Sequence, residues 1–176
     1  MLLKCSSAKR RGAHLVECAI VLPVTFFLIL AIMVGGLGVF RYQELASLSR
    51  EAARYAATHG GQYQKENNQA ILAGTLPNVT KAYIINNTVL PKAYWLDHGQ
   101  LQVSIQFNNP NGSFDWDDTA NNGQRWPFTI QDVDGNGTKD SVTNTVSVKI
   151  TYNYYPELRI WGPYTLTSTS VMPMSY

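Results

Sequence analysis

From Cys18 to Phe40 the chain holds an uncharged, mostly apolar run of 23 residues, framed by Glu17 and Arg41. At about 1.5 Å per helical residue, such a run is long enough to cross a bilayer core of about 30 Å. The apolar region of a cleaved secretory signal is shorter, about 7–15 residues, although Gly36-Leu37-Gly38 imitates a small-x-small cleavage site. Helical rhythm continues beyond Phe40. Leu45, Leu48, Ala52 and Tyr55 fall on one face, while Arg41, Glu44, Arg50, Glu51 and Arg54 fall mostly elsewhere. Gly60-Gly61 then supplies a stop. The pattern predicts one long helix, Ala13 to His59, with residues 13–40 in the membrane and residues 41–61 as its amphipathic continuation.

Downstream the period changes. Glu66 to Leu76 predicts a short helix ended by Gly74 and Pro77. Lys81–Ile85, Leu101–Phe107, Thr145–Tyr152 and Tyr164–Ser170 then alternate apolar with polar positions, the two-residue period of strands. Asn108 to Gln124 is rich in Asn, Gly and Asp and reads as a long loop or a distorted hairpin. No internal repeat is present. The expected class is α+β: a long N-terminal helix, its first half transmembrane, packed on a small, mainly antiparallel sheet. Residues 62–176 would form the extracytoplasmic domain.

Charge sets the orientation. Lys4, Lys9, Arg10 and Arg11 crowd residues 1–12 without an acidic partner, and positive charge before an apolar run holds the amino terminus in the cytoplasm. Beyond Phe40 ten Lys/Arg face eleven Asp/Glu, so the exported part carries a formal charge of −1. The basic balance of the whole chain belongs to its leader. No basic stripe with interleaved aromatics follows, which argues against a nucleic-acid partner. Cys5 and Cys18 both precede the exported part, so that domain relies on packing without disulfides.

Glu17 is the residue that calls for a reason. A carboxylate at the centre of a membrane helix costs roughly 2.5–3.5 kcal/mol, and less near the interface. It stands five positions after Gly12, where the basic leader ends. The sequence Arg11-Gly12-Ala13-His14-Leu15-Val16-Glu17-Cys18-Ala19-Ile20-Val21-Leu22-Pro23 resembles the class III signal of type IV pilin-like proteins. Within that group it is similar to the TadE-like pseudopilins of the tight-adherence, or Flp pilus, system. Ser49 to Ala57, rich in alanine and arginine, is similar to the family's helix after the membrane, and Asn144–Tyr152 with Leu166–Met172 gives a looser echo. Cys18 replaces the aromatic expected after the glutamate, and His14 is less apolar than usual there.

The resemblance implies cleavage after Gly12 by a prepilin peptidase, leaving Ala13 as the new amino terminus. Glycine admits the backbone to a narrow active site. The freed amine at Ala13 would lie four residues from Glu17, on one helical face. Glu17 could equally pair with the Ala13 amine of a neighbouring subunit, fixing the axial step of an assembly. A plainer reading leaves Glu17 at the headgroups, favouring the positive end of the helix.

Two further features have candidate roles. Ala31, Gly35 and Gly38, at i, i+4 and i+7, form a small-residue groove for another helix, or are ordinary membrane-helix composition. Pro23 frees the carbonyl of Ala19 and predicts a mild kink. In the exported part, Asp132, Asp134, Asn136, the Thr138 carbonyl and Asp140 have the alternate spacing of oxygen ligands for Ca²⁺, with Gly137 at the sixth position. The spacing is similar to calcium loops in integrin-type repeats and departs from the EF-hand, whose twelfth-position glutamate is here Thr143. The same residues also suit a metal-free hairpin turn.

No catalytic site is expected. His14, His59 and His98 are scattered, and no Gly-x-Ser-x-Gly or phosphate-binding loop occurs. Two functions follow. One is a minor pilin-like subunit, single-pass in the cytoplasmic (inner) membrane, whose partners are the prepilin peptidase, other pilin-like subunits and the pilus assembly platform; it requires no cofactor. The alternative is an unprocessed, membrane-anchored extracytoplasmic binding or adhesion module, calcium-dependent if the Asp132–Asp140 loop binds the ion.

Overall fold

The computed structural model describes residues 8–118, 126–131, 137, 139–156 and 162–175, with the backbone alone at 8–11, 13, 131 and 140. The first helix, α1, runs from Ala8 to Thr58 over 51 residues. It starts five residues before the expected Ala13, because Ala8, Lys9, Arg10 and Arg11 are good helix formers and nothing there breaks the helix. Gly12 therefore lies inside the helix. Pro23 is accommodated within α1, and nearby the Thr25 hydroxyl donates to the Val21 carbonyl at 2.9 Å.

The two halves of α1 meet different surroundings. Large apolar side chains from Leu15 to Phe40 are mostly exposed, and α1 is long and apolar enough to cross a membrane. The second half buries Leu45, Leu48, Ala52, Ala53, Ala56 and Ala57 against the rest of the fold. The repeated alanines let the helix backbone approach the sheet closely. Tyr55, expected on the same face, is half-buried at its margin.

A chain of short helical pieces follows: α2 (Gly61–Glu66), α3 (Asn68–Leu72) and α4 (Lys81–Ile84). A π turn over Ile85–Val89 and a 3-10 turn over Leu90–Lys92 continue from α4. Lys81–Ile85 is thus helical, which corrects the strand expected there. The Thr80 hydroxyl caps the helix by accepting from the Tyr83 N–H at 3.2 Å. Ile84, Thr88 and Val89 then share a buried face at helical spacing, and the Thr88 hydroxyl donates to the Ile84 carbonyl at 2.6 Å. The helix expected over Glu66–Leu76 shortens to α3, since α2 ends at Glu66, and Gly61 opens α2 instead of ending α1.

Six strands are present among the described residues: β1 (Leu101–Asn109), β2 (Gly112–Asp115), β3 (Phe128–Gln131), β4 (Asp140–Thr143), β5 (Thr145–Tyr154) and β6 (Tyr164–Pro173). β2-β1-β5-β6 form one antiparallel sheet in that order, and β3 pairs with β4 in a second. The β1–β2 hairpin turns through Gly112, whose φ of +141° only glycine adopts without strain. In β5 Val146, Val148, Ile150, Tyr152 and Tyr154 point into the core, while Lys149 faces solvent. The architecture is α+β, a long N-terminal helix packed on a small antiparallel sheet.

Polar contacts fix the register of this packing. The hydroxyls of Ser49 on α1 and Ser168 on β6 meet at 3.0 Å in a buried contact. Asn144, almost fully buried, ties the second sheet to the first. Its amide donates to the Trp126 carbonyl at 2.8 Å and its oxygen accepts from the Thr129 hydroxyl at 2.9 Å.

At the far end of α1, Tyr55 stacks on His59 with ring centroids 4.0 Å apart and lies beside Tyr83. Burial, helped by Tyr83, pushes its phenol up to about 12 from an ordinary 10.0. The folded state thus holds this proton more tightly than the unfolded chain. Its contribution to stability is complete below pH 10 and is lost as the pH rises towards 12. Tyr55→Phe is expected to flatten that alkaline loss in urea melts across this range; an unchanged slope would contradict the assignment.

Candidate processing and assembly site

Gly12 and Glu17 both belong to the part of α1 that the folded domain leaves untouched. A Cβ added at Gly12 would meet nothing within 4 Å, and its φ is not positive. The fold itself therefore makes no demand for glycine at this position. Glu17 is exposed, and its carboxylate lies 3.9 Å from His14 Nδ1, one helical turn away. Neither residue is held by the sheet or by the short helices. Helical geometry puts residues 13 and 17 one above the other, so an amine at residue 13 would share the face of the carboxylate.

The three small residues of the expected groove separate. Ala31 and Gly35 are exposed, and a Cβ at Gly35 would find open space. Gly38 lies against the chain's own domain, where a Cβ would stand 3.7 Å from the Tyr154 ring. The adjacent Arg41 guanidinium sits 4.5 Å above the centre of that ring. This junction of helix and sheet was not expected from the sequence, since Gly38 and Tyr154 are far apart in the chain.

Asp132, Asp134, Asn136 and Thr138 lie outside the described residues. Asp140 begins β4 opposite Gln131 of β3, so the loop bridges the two strands of a hairpin. Gly137 has φ +80°, as a tight turn requires with or without a metal. Among the described residues no cluster of His, Cys, Asp and Glu could hold a metal ion. His59 is engaged by Tyr55, through its ring and the carbonyl at 2.9 Å from Nδ1, and His98 Nε2 lies 3.3 Å from the Ala93 carbonyl.

Gly12 and Glu17 thus lie five positions apart on the exposed part of α1, outside the contacts of the folded domain. Residues 12–54 match the TadE-like protein family model. The match opens on Gly12 and contains Glu17, the whole apolar run and most of the amphipathic half of α1. The match spans 43 of the 176 residues and shows what this stretch of α1 is similar to. The matched stretch includes the apolar run of α1, which is long enough to cross a membrane. Comparison with curated proteins and with solved structures returns no significant match.

Proposed function

We propose that this protein is a minor pilin-like subunit of a tight-adherence system, trimmed after Gly12 and assembled through its membrane helix. The observation that carries the reading is Gly12 itself: the fold leaves it free of contacts, yet it stands five positions before Glu17 where the basic leader ends. A prepilin peptidase would remove residues 1–12 at the cytoplasmic face of the inner membrane. The new ammonium at Ala13 would then stand near Glu17 of the same or a neighbouring subunit, offsetting the cost of a carboxylate close to lipid. Residues 13–40 would span the membrane, residues 41–61 would carry the helix into the exported domain, and residues 62–176 would complete that domain outside. Ala31 and Gly35 offer the open part of the helix for packing against other subunits or the assembly platform.

Glu17→Ala separates the two steps. The variant is expected to be trimmed normally but to lose roughly tenfold or more of its cross-linking to partner subunits, about 1.4 kcal/mol or more of pairing. Unchanged cross-linking would remove Glu17 from assembly. The Asp132–Asp140 loop is proposed as a weak calcium site within the same subunit. Millimolar Ca²⁺ is expected to raise the Tm of the wild type and not of Asp132→Ala; equal melting with and without calcium would end that assignment.

A further inference from the structure

Aromatic side chains gather at one end of the exported fold. Among the described residues, every exposed Tyr or Trp lies there: Tyr42, Tyr94, Trp95, Tyr155 and Tyr164. The remaining described ones, from Tyr55 to Tyr154 and including Trp116 and Trp126, are buried or half-buried. Tyr94 and Trp95 are 81% and 68% exposed, a large apolar surface that the fold does not use.

Topology sets the level of this rim. β1 begins there, β5 ends there and β6 begins there, with Tyr154 paired to Tyr164. Tyr154 contacts α1 at Gly38 and Arg41, where the uncharged run gives way to the first cation. Trp95 packs edge-on against Phe40, the last residue of that run, with centroids 6.4 Å apart. The loop carrying Trp95 is held in place. Glu44 Oε1 accepts from the Trp95 N–H at 3.3 Å, and the Asp97 N–H donates to the Tyr152 hydroxyl at 3.4 Å. Asp97 in turn accepts from the Gly99 N–H at 2.9 Å.

We infer that this rim, centred on Tyr94 and Trp95, docks on the outer phospholipid interface of the bilayer that α1 crosses. Tyr and Trp rings combine an apolar body with a polar tip and settle at the headgroup level of membranes. The rim stands at the height where the apolar run ends, so a spanning α1 brings it to that level without any further movement. Docking would set the tilt of the domain on its helix and present the opposite end, with β3 and β4, away from the membrane. The inference rests on the proposed membrane anchoring.

The test uses the full chain reconstituted in phosphatidylcholine vesicles, with part of the lipid brominated high on its acyl chains, near the glycerol. Wild-type tryptophan emission should be quenched by the brominated lipid, and Trp95→Phe should remove roughly half or more of that quenched intensity. Equal quenching in the two proteins overturns the rim. So does Trp95 emission that resists both brominated lipid and aqueous acrylamide, which would reveal a protein partner covering it. Alkaline carbonate extraction tells the two readings apart. Retention in vesicles without Trp95 quenching sinks the rim alone, whereas release by carbonate sinks the anchor and the rim together.

Discussion

Gly12→Val will leave the leader on the chain, and the membrane-extracted variant will retain residues 1–12. The proposed scissile bond lies within α1, which begins at Ala8, so a protease that reads extended backbone must first unwind the helix around it. Glycine favours that opening, being less favourable in a helix than alanine by roughly 1 kcal/mol. It also presents no Cβ to a narrow active site. Valine adds a branched side chain beside the bond to be cut. Gly12→Ala tests the smaller term: stabilising the helix by about 1 kcal/mol should slow trimming roughly fivefold without abolishing it. Because nothing lies within 4 Å of a Cβ at this site, neither change should shift the melting of the folded domain. Normal trimming of Gly12→Val would contradict the assigned cleavage site.

Trp116→Ala will destabilise the folded domain by about 3–5 kcal/mol, against a total of about 5–15 kcal/mol for a typical domain. Trp116 is fully buried, and its indole N–H donates to the Val79 carbonyl at 3.0 Å. Its own backbone N–H donates to the Ile105 carbonyl at 3.0 Å, which ties the end of β2 to β1. Close by, Asp117 accepts from the Lys81 N–H at 2.8 Å and Asp115 pairs with the Lys81 ammonium at 3.2 Å. One side chain thus clamps the start of α4 to the β1–β2 hairpin. Alanine would leave a large cavity and an unpaired buried carbonyl, in a domain with no cysteine to compensate. Urea unfolding of the full chain in detergent reads the effect; a loss below about 1 kcal/mol would show that the site collapses around the smaller residue.

The long helix and strands β1, β5 and β6 were legible because each repeats its period over many residues. Leu45, Leu48 and Ala52 all face the core as their spacing predicts. Lys81–Ile85 misled because Ala82-Tyr83-Ile84-Ile85 suits either period over so short a stretch. The deciding signals were the Thr80 cap and the buried Ile84–Thr88–Val89 face, which depends on α1 being opposite. β3 and β4 were missed because each has four residues, too few for a readable alternation. They are secured by Asn144, whose contacts with Trp126 and Thr129 form only on folding.

Gly12 and Glu17 were singled out from sequence because the roles proposed for them rest on local spacing along one helix. Gly38 could not be read in full, since its neighbour Tyr154 arrives from a distant strand. The aromatic rim was invisible for the same reason. Tyr42, Tyr94, Trp95, Tyr155 and Tyr164 are scattered along the chain and share one edge only once the sheet is built. Sequence reading reached features carried by neighbours in the chain and missed those that topology assembles.

Intact mass spectrometry of the wild-type protein, extracted from membranes with and without an active prepilin peptidase, bears most directly on the role of Gly12 and Glu17. The expected result is a chain beginning at Ala13 when the peptidase is present and at Met1 when it is absent. A chain that still begins at Met1 beside a peptidase shown to trim another pilin in the same cells would contradict it.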